Sequence, residues 1–511
     1  MITRLYLVAF VFAILLSACG SGIHKTGHSE GRLPVIFPDY TSLIIPVNIA
    51  PLNFIIKEEA QKYSVHFSGP KSKGFVINSD NDKITIPIIK WKKLLNATIE
   101  DSIKIVISVK IKNVWHSFNP IYNYISPDSL DSYIVYRKIN PALVLWNDMA
   151  IVQRSTETFD ESSILENRNT GGNCMHCHTF QNRNPENFML HLRAPGGTFI
   201  KSNGITRWLE TKTPYTIASF AYPAWHPTKN LIAFSTNKIQ QAMYASGEHL
   251  NVVFDDVSDI VVYDIEKNLV FTSPKIASKN LENLPEWSPD GKYLYYINCP
   301  IERKLEMGKL VKYDFMRIAF NAETREWGNL DTLLTSATTG LSISFPKASP
   351  DGKFIIFCMA DFGYFTITNP TTDLYIMDLS NKKYRKLGIN SSKTESFHDW
   401  SLNSRWIVLA SKREDGIITL PYFCHIDEKG LESKAFVLPA EDPESLKTSL
   451  FNYNRPVFVS GKVTMSQEEI LSEIAKKPEK VIFDSINVAI DSLEGLKSNS
   501  GKVETSIYLK K

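Results

Sequence analysis

The amino-acid sequence predicts an all-β protein in which a propeller of about five or six blades follows an N-terminal β-sandwich. Two observations carry this expectation. A turn-and-strand unit recurs along the second half of the chain, and apolar and polar residues alternate in the first third. A third observation excludes competing classes: the 511 residues are 43% hydrophobic, 22% charged and 11% aromatic, with 24 Gly and 26 Pro, unlike a disordered, collagen-like or coiled-coil chain. The length calls for two or three domains. With 57 basic against 54 acidic side chains, the charge balance gives no reason to expect nucleic acid.

Residues 1–18 read as an export signal, with Arg4, an apolar run from Leu5 to Leu16, and the small residues Ser17-Ala18 before Cys19. The run is shorter than the roughly 20 apolar residues of a spanning helix. Its order of basic, apolar and small residues is that of a cleaved signal. Leu16-Ser17-Ala18-Cys19 resembles a bacterial lipobox. That resemblance implies a lipid on the Cys19 thiol, a flexible tether over 19–32, and a protein anchored at the outer membrane and facing the periplasm.

Residues 33–137 are expected to form an antiparallel β-sandwich. Ile103 to Lys112 alternates as an amphipathic strand should. Shorter β runs occur at Ser64–Phe67, Gly74–Ile77, Ile84–Ile88 and Tyr133–Tyr136, with turn residues between them. Residues 138–187 are expected to be an irregular linker.

That linker holds the one chemical motif. Cys174-Met175-His176-Cys177-His178 contains Cys-x-x-Cys-His, the attachment signature of a c-type haem. Two thiols at this spacing can reach the two vinyl groups of one porphyrin, and the imidazole of His178 then lies where it can bind the iron. Two other readings stay open: zinc held by Cys174, Cys177 and a neighbouring His, or a redox disulfide. Zinc lacks a second ligand pair at finger-like spacing, and no thioredoxin-like βαβ pattern surrounds the pair. Apart from Cys19, the chain has Cys174, Cys177, Cys299, Cys358 and Cys424, an odd number that argues against a disulfide framework. The last three lie in apolar runs and read as buried thiols.

After the turn Asn184–Asn187, Phe188–Arg193 reads as a strand closed by Pro195-Gly196-Gly197 into a hairpin with Thr198–Ile200. Period-two geometry puts Met189, His191 and Arg193 on one face. Met189 or His191 would be the second axial ligand, and Arg193 would pair with a haem propionate.

Residues 188–465 carry the repeats. Glu286-Trp287-Ser288-Pro289-Asp290-Gly291-Lys292 leads to Tyr293–Tyr296, and Lys347-Ala348-Ser349-Pro350-Asp351-Gly352-Lys353 leads to Phe354–Phe357. Ala224-Trp225-His226-Pro227 before Leu231–Phe234, and Asp399-Trp400-Ser401 before Trp406–Leu409, are looser copies. Pro fixes φ, Asp caps the turn and Gly supplies the left-handed position. A second strand recurs as Asp259–Asp264 and Asp373–Asp378. Intervals of about 50–60 residues suit four-stranded blades with insertions. Residues 188–220 and 445–465 would supply the remaining blades, one of them shared by both ends of the domain. Residues 466–511 are expected to be a solvated appendage with a helix over Gln467–Lys476.

The repeats resemble the WD40-like repeats of TolB-type β-propellers. With the lipobox, Asn48–Phe54, Tyr136-Arg137, Gln153-Arg154, Asn173–Phe180 and Gly196-Gly197-Thr198, the chain resembles a family of bacterial envelope propeller proteins described as TolB-like or cytochrome-c-like. The resemblance implies an envelope lipoprotein with one covalent haem, working in electron transfer or redox sensing with a protein partner. The alternative is a non-enzymatic propeller scaffold that binds a periplasmic protein or peptide, with the insertion Lys238–Ser258 as its surface. A hydrolase has little support: no His-Glu-x-x-His motif occurs, and the Gly-x-Ser-x-Gly match Gly27-His28-Ser29-Glu30-Gly31 lies in the expected tether, without the strand-turn-helix setting of a nucleophile elbow.

Overall fold

The computed structural model describes residues 27–140, 148–193, 196–244, 251–303, 311–485 and 507–510; the signal segment and Cys19 lie outside them. Strands dominate, and the chain divides into two compact units. Among the described residues no helix is long and apolar enough to cross a membrane.

The first unit comprises Pro51–Pro127, the chain before Asn48, and Glu441–Pro443. The alternating segment forms the strand Ser102–Ile111, which buries Ile103, Ile105, Ile107 and Val109. It pairs with Lys62–Gly69, Val114–Ser117 and Ile121–Ser126 in a seven-stranded sheet. Ile36–Phe37, Phe54–Ile56 and Lys83–Ile84 make a second, three-stranded sheet.

The antiparallel sandwich expected over 33–137 is corrected in three respects. The run after Ile84 does not continue as a strand: Pro87 precedes a helix, Ile88–Ala97, that buries Trp91, Leu94 and Leu95. Those residues recur at helical spacing, and Pro is well placed at a helix start. Two edge pairings, His28–Ser29 with His116–Ser117 and Ile44–Pro46 with Tyr124–Ser126, are parallel. Tyr133–Tyr136 belongs to the second unit.

The second unit is a succession of antiparallel meanders in sheets of four, five, ten, four and four strands. The ten-stranded sheet is two four-stranded meanders joined by a single parallel pair, Ser258 with Leu281, and extended by short added strands. Six meanders therefore follow one another, each with the strand order of a propeller blade. Their innermost strands are Asn452–Val459, Cys174–Phe180, Phe220–Trp225, Leu281–Trp287, Ser342–Ala348 and Glu395–Trp400. The first of these comes from the C-terminal side and pairs antiparallel with Tyr133–Ile139. Apolar cores fill the spaces between neighbouring sheets: Val135, Ile151 and Val459 meet Leu190 and Phe199, and Met189 and Ile200 meet Phe220 and Phe234.

The repeated turns explain how each meander starts its second strand. In Ser288–Lys292 the Ser288 hydroxyl donates to Asp290 Oδ1 at 2.6 Å, the Gly291 amide donates to the Ser288 carbonyl at 2.8 Å, and Gly291 sits at φ 71°. Ser349–Lys353 repeats these bonds. The loose copies keep the geometry with other residues. Asn403 replaces Asp, Ser404 takes the left-handed position at φ 61°, and in the earliest copy His226 Nδ1 accepts from the Thr228 and Lys229 amides.

Two further expectations are corrected. Residues 138–187 are no irregular linker: Met149–Ser155 and Glu161–Glu166 are strands of the first meander, and Cys174–Phe180 is the innermost strand of the second. Polar residues conceal these strands in the sequence, and two of them, Gln153 and Arg154, are buried with hydrogen-bond partners. Gln153 exchanges hydrogen bonds with the Val463 backbone, and Arg154 donates to the carbonyls of Ser155, Thr158 and Pro439. The helix near the C-terminus runs Gln467–Ile474, started by a Ser466/Glu469 capping box. It is no solvated appendage, since Ile470 is fully buried against the first two sheets. Glu479–Lys480 and Ile482–Phe483 then add to the outer edges of the second and third meanders.

Candidate functional site

The Cys-x-x-Cys-His segment follows a short 3₁₀ turn that ends on Gly171 and Gly172, both with positive φ. It then runs as a strand against Phe188–Arg193, with a bulge between Met175 and His178. The expected hairpin of Phe188–Arg193 with Gly197–Ser202 is present, and Met189 and His191 share a face. His178 lies directly opposite Leu190, so it projects from the other face of the sheet. The candidate axial ligands are thus on opposite sides.

The two thiols fall in different apolar clusters, although the charge of Arg137 reaches both. Cys174 packs in the core between the first and second sheets, with Met149, Ile151 and Leu192, whereas Cys177 packs in the core toward the third sheet, with Met189 and Trp225. Both are buried free thiols. His178 is 1% exposed, and its Nε2–H donates to the Arg455 carbonyl at 2.9 Å, while Nδ1 has no hydrogen-bond partner. Burial, followed by the charges of Arg455 and Arg137, holds the imidazole neutral with a pKa of about 3. His191 Nδ1 bonds the Thr198 hydroxyl at 3.0 Å, and burial then the Arg193 charge lower its pKa to about 4. Burial raises the Cys174 thiol, opposed by Arg137 and Arg193. Arg455 Nη1 donates to Cys177 Sγ at 3.4 Å.

These residues do not fit a c-type haem in this arrangement. One porphyrin needs both thiols on one side and a free imidazole nitrogen facing its iron. Here Cys174 and Cys177 belong to different apolar clusters, the imidazole Nε2 is engaged by a carbonyl while Nδ1 is buried, and Met189, 1% exposed, packs in apolar surroundings. Among the described residues no group of three metal-ligating side chains includes Cys174, Cys177 or His178.

The register explains what the segment is. The innermost strands of the third to sixth meanders carry bulges at Ala221/Ala224, Asn283/Glu286, Ser344/Lys347 and Ser396/His398. At each bulge a non-glycine residue takes positive φ: Tyr222, Leu284, Phe345 and Phe397, with Arg455 in the first meander. Four of the five precede a proline, a context that disfavours such backbone. Met175–His178 is the second meander's bulge, and Cys177 stands in the register place of Pro223, Pro285, Pro346 and Pro456.

The side chains of these bulges meet one another. Phe345 stacks edge-on with Phe397 at 4.9 Å and lies 6.3 Å from Tyr222, while the Arg455 guanidinium lies over both Tyr222 and Phe397. A few residues further along the same strands is a cavity of about 310 Å³ to which all six meanders contribute. Two opposite-charge pairs line it: Lys347 Nζ with Glu286 Oε2 at 2.7 Å, and Arg183 Nη2 with Asp399 Oδ1 at 3.5 Å. Trp225 and Trp287 are among its walls. Burial raises the Glu286 carboxyl, and Lys347 opposes that rise. Asp399 Oδ2 accepts from the Phe458 amide at 2.9 Å and Arg183 Nε donates to the Trp400 carbonyl at 2.6 Å, so this pair is held in place. Such a cavity suits a ligand that presents both charges beside apolar surface.

Sequence reasoning did not single out Arg183, Glu286, Lys347 or Asp399. A signal existed for the last three: each stands two residues after the bulged position, at the place held by Ala224 and Val457 in other copies. A repeat position that is apolar in some copies and charged in others marks residues that core packing alone does not dictate.

No family model and no curated protein matches the chain. Solved structures share partial likeness. A chain from a nidogen/laminin complex has a TM-score of 0.37 at 7% identity, over 65% of this chain and 99% of that one. A puromycin-hydrolysing peptidase of Mycobacterium tuberculosis gives 0.34 at 10%, over 66% and 44%. The tricorn protease gives 0.29 at 12%, over 75% and 38%. This chain thus spans less than half of either peptidase, and likenesses of this size carry no argument about activity.

Proposed function

We propose that the second unit is a six-bladed β-propeller, closed by the pairing of Asn452–Val459 with Tyr133–Ile139, and that it acts as a non-enzymatic binding module. Its ligand is a peptide segment or small molecule carrying both charges, seated in the cavity shared by the six meanders. The observation that carries this reading is convergence: Arg183–Asp399 and Glu286–Lys347 come from four different meanders and line one cavity with two tryptophans. Export and lipidation at Cys19, read from the lipobox, would set the module at the outer membrane facing the periplasm, in keeping with a TolB-like resemblance. The partner is then a protein or peptide of that compartment.

A photo-activatable residue at Leu402, which lines the cavity and is half exposed, tests this reading in living cells. The same group at Ile417, exposed but outside the cavity lining, is the control. Crosslinks from 402 that disappear in Lys347→Ala and Asp399→Asn support the proposal. Equal crosslinking from both positions would contradict it. A haem reading requires the buried Cys174 and Cys177 to leave their apolar clusters, and a reducible haem spectrum in the mature protein would restore it.

A further inference from the structure

The first unit carries a cluster separate from all of this. Its N-terminal described segment enters the seven-stranded sheet as His28–Ser29, paired in parallel with His116–Ser117, so that His28 lies beside His116. The Glu30 amide donates to the Ser117 carbonyl at 2.9 Å, which brings Glu30 to the same edge. Glu30 Oε1 is then 2.7 Å from His116 Nδ1 and 3.8 Å from His28 Nε2. The two imidazoles stand 5.2 Å apart at 66°. All three donor atoms lie within 4.8 Å of one another.

These distances have the scale of a coordination sphere. Ligand bonds of about 2.0–2.2 Å put neighbouring ligand atoms roughly 3–3.5 Å apart in tetrahedral or octahedral geometry, and the observed separations bracket that range. Arg32, the cation next along the chain, is engaged by both carboxylate oxygens of Glu58 at 2.7 Å, so it leaves Glu30 to the imidazoles. Two imidazole nitrogens and one carboxylate suit a borderline ion such as Zn²⁺, whereas Ca²⁺ and Mg²⁺ favour oxygen ligands throughout. Three protein ligands leave a position for water.

We propose that His28, Glu30 and His116 bind one divalent transition-metal ion of the zinc type. The ion would add a clip between the N-terminal segment and the sheet, beside the pairing of His28–Ser29 and the backbone bonds of Glu30 and Arg32 to Ser117 and Asn119. Calorimetric titration of the metal-stripped full chain with Zn²⁺ tests this, with tryptic cleavage after Arg32 as a second readout. One equivalent should bind and slow that cleavage. His28→Ala, whose side chain is 61% exposed and not part of a core, and Glu30→Gln should each weaken binding by about 10–100-fold with an unchanged circular dichroism spectrum. The Cys174→Ala/Cys177→Ala variant should bind as the parent does. Absence of binding, binding insensitive to His28 and Glu30, or binding lost with the two cysteines would each overturn the proposal.

Discussion

Glu282→Gln probes a buried acidic pair that joins the third and fourth meanders. Glu282 is 1% exposed; its Oε1 accepts from the Ser278 hydroxyl at 2.5 Å and from Asn298 Nδ2 at 3.2 Å. Asp259 is fully buried, and neither of its carboxyl oxygens has a hydrogen-bond partner. Burial pushes the Glu282 carboxyl from 4.5 up to about 7, against the pull of its donors. Asp259 is pushed well above its usual range by burial and then by the charge of Glu282. A raised carboxyl means that the folded chain keeps a proton the unfolded chain has released. The contribution of Glu282 is therefore full below pH 4.5 and is lost as pH rises through about 7. The difference corresponds to about 3 kcal/mol. Glutamine mimics the protonated acid at every pH. With the fully protonated parent as the point of equality, the variant should already lead by about 1 kcal/mol at pH 5 and by about 3 kcal/mol at pH 8, the latter roughly a 4 °C gain in melting temperature for a unit of this size. Calorimetric melts at both pH values measure this. A gap between variant and parent that is the same at pH 5 and pH 8 would refute the reasoning.

Other substitutions test the packing around the strands. Asp255 accepts from Asn237 and Tyr364 on one oxygen and from Asn283 and Tyr313 on the other, at 2.8–3.0 Å; Asp255→Ala orphans four donors and should cost about 4 kcal/mol in urea unfolding, with Asp255→Asn costing less. Gly291 and Gly352 occupy equivalent turns at φ 71°, but a Cβ at Gly291 would lie 2.4 Å from the His226 ring, and one at Gly352 meets nothing within 4 Å. Both alanine variants bear a left-handed penalty of about 1 kcal/mol, and Gly291→Ala should lose about 1–3 kcal/mol more through the clash.

The parts of the fold legible in the sequence are those where one physical signal dominates. Ser-Pro-Asp-Gly turns followed by apolar runs located Tyr293–Cys299 and Phe354–Ala360, because turn chemistry and burial agree there. The helix Ile88–Ala97 was missed since its first residues continue a β-branched run, although Trp91 and Leu94 keep helical spacing. Met149–Ser155 and Cys174–Phe180 were missed for a different reason. Several of their polar side chains bond partners far along the chain, as with Gln153 and Val463 or His178 and Arg455, and such pairing is invisible to local pattern. The same limit governs the site. Cys-x-x-Cys-His is a chemical signature only if its side chains share a face, and the bulge that separates them becomes apparent through comparison with the other inner strands.

Counting thiols tests the central claim most directly. The full chain, matured in a bacterial host equipped to attach haem c, would be denatured and alkylated, and its peptides weighed. If the Cys-x-x-Cys-His segment is an inner propeller strand, all five of Cys174, Cys177, Cys299, Cys358 and Cys424 should take up the reagent after denaturation. Modification of Cys299, Cys358 and Cys424 alone, with the 174–177 peptide carrying the mass of a porphyrin, would contradict it.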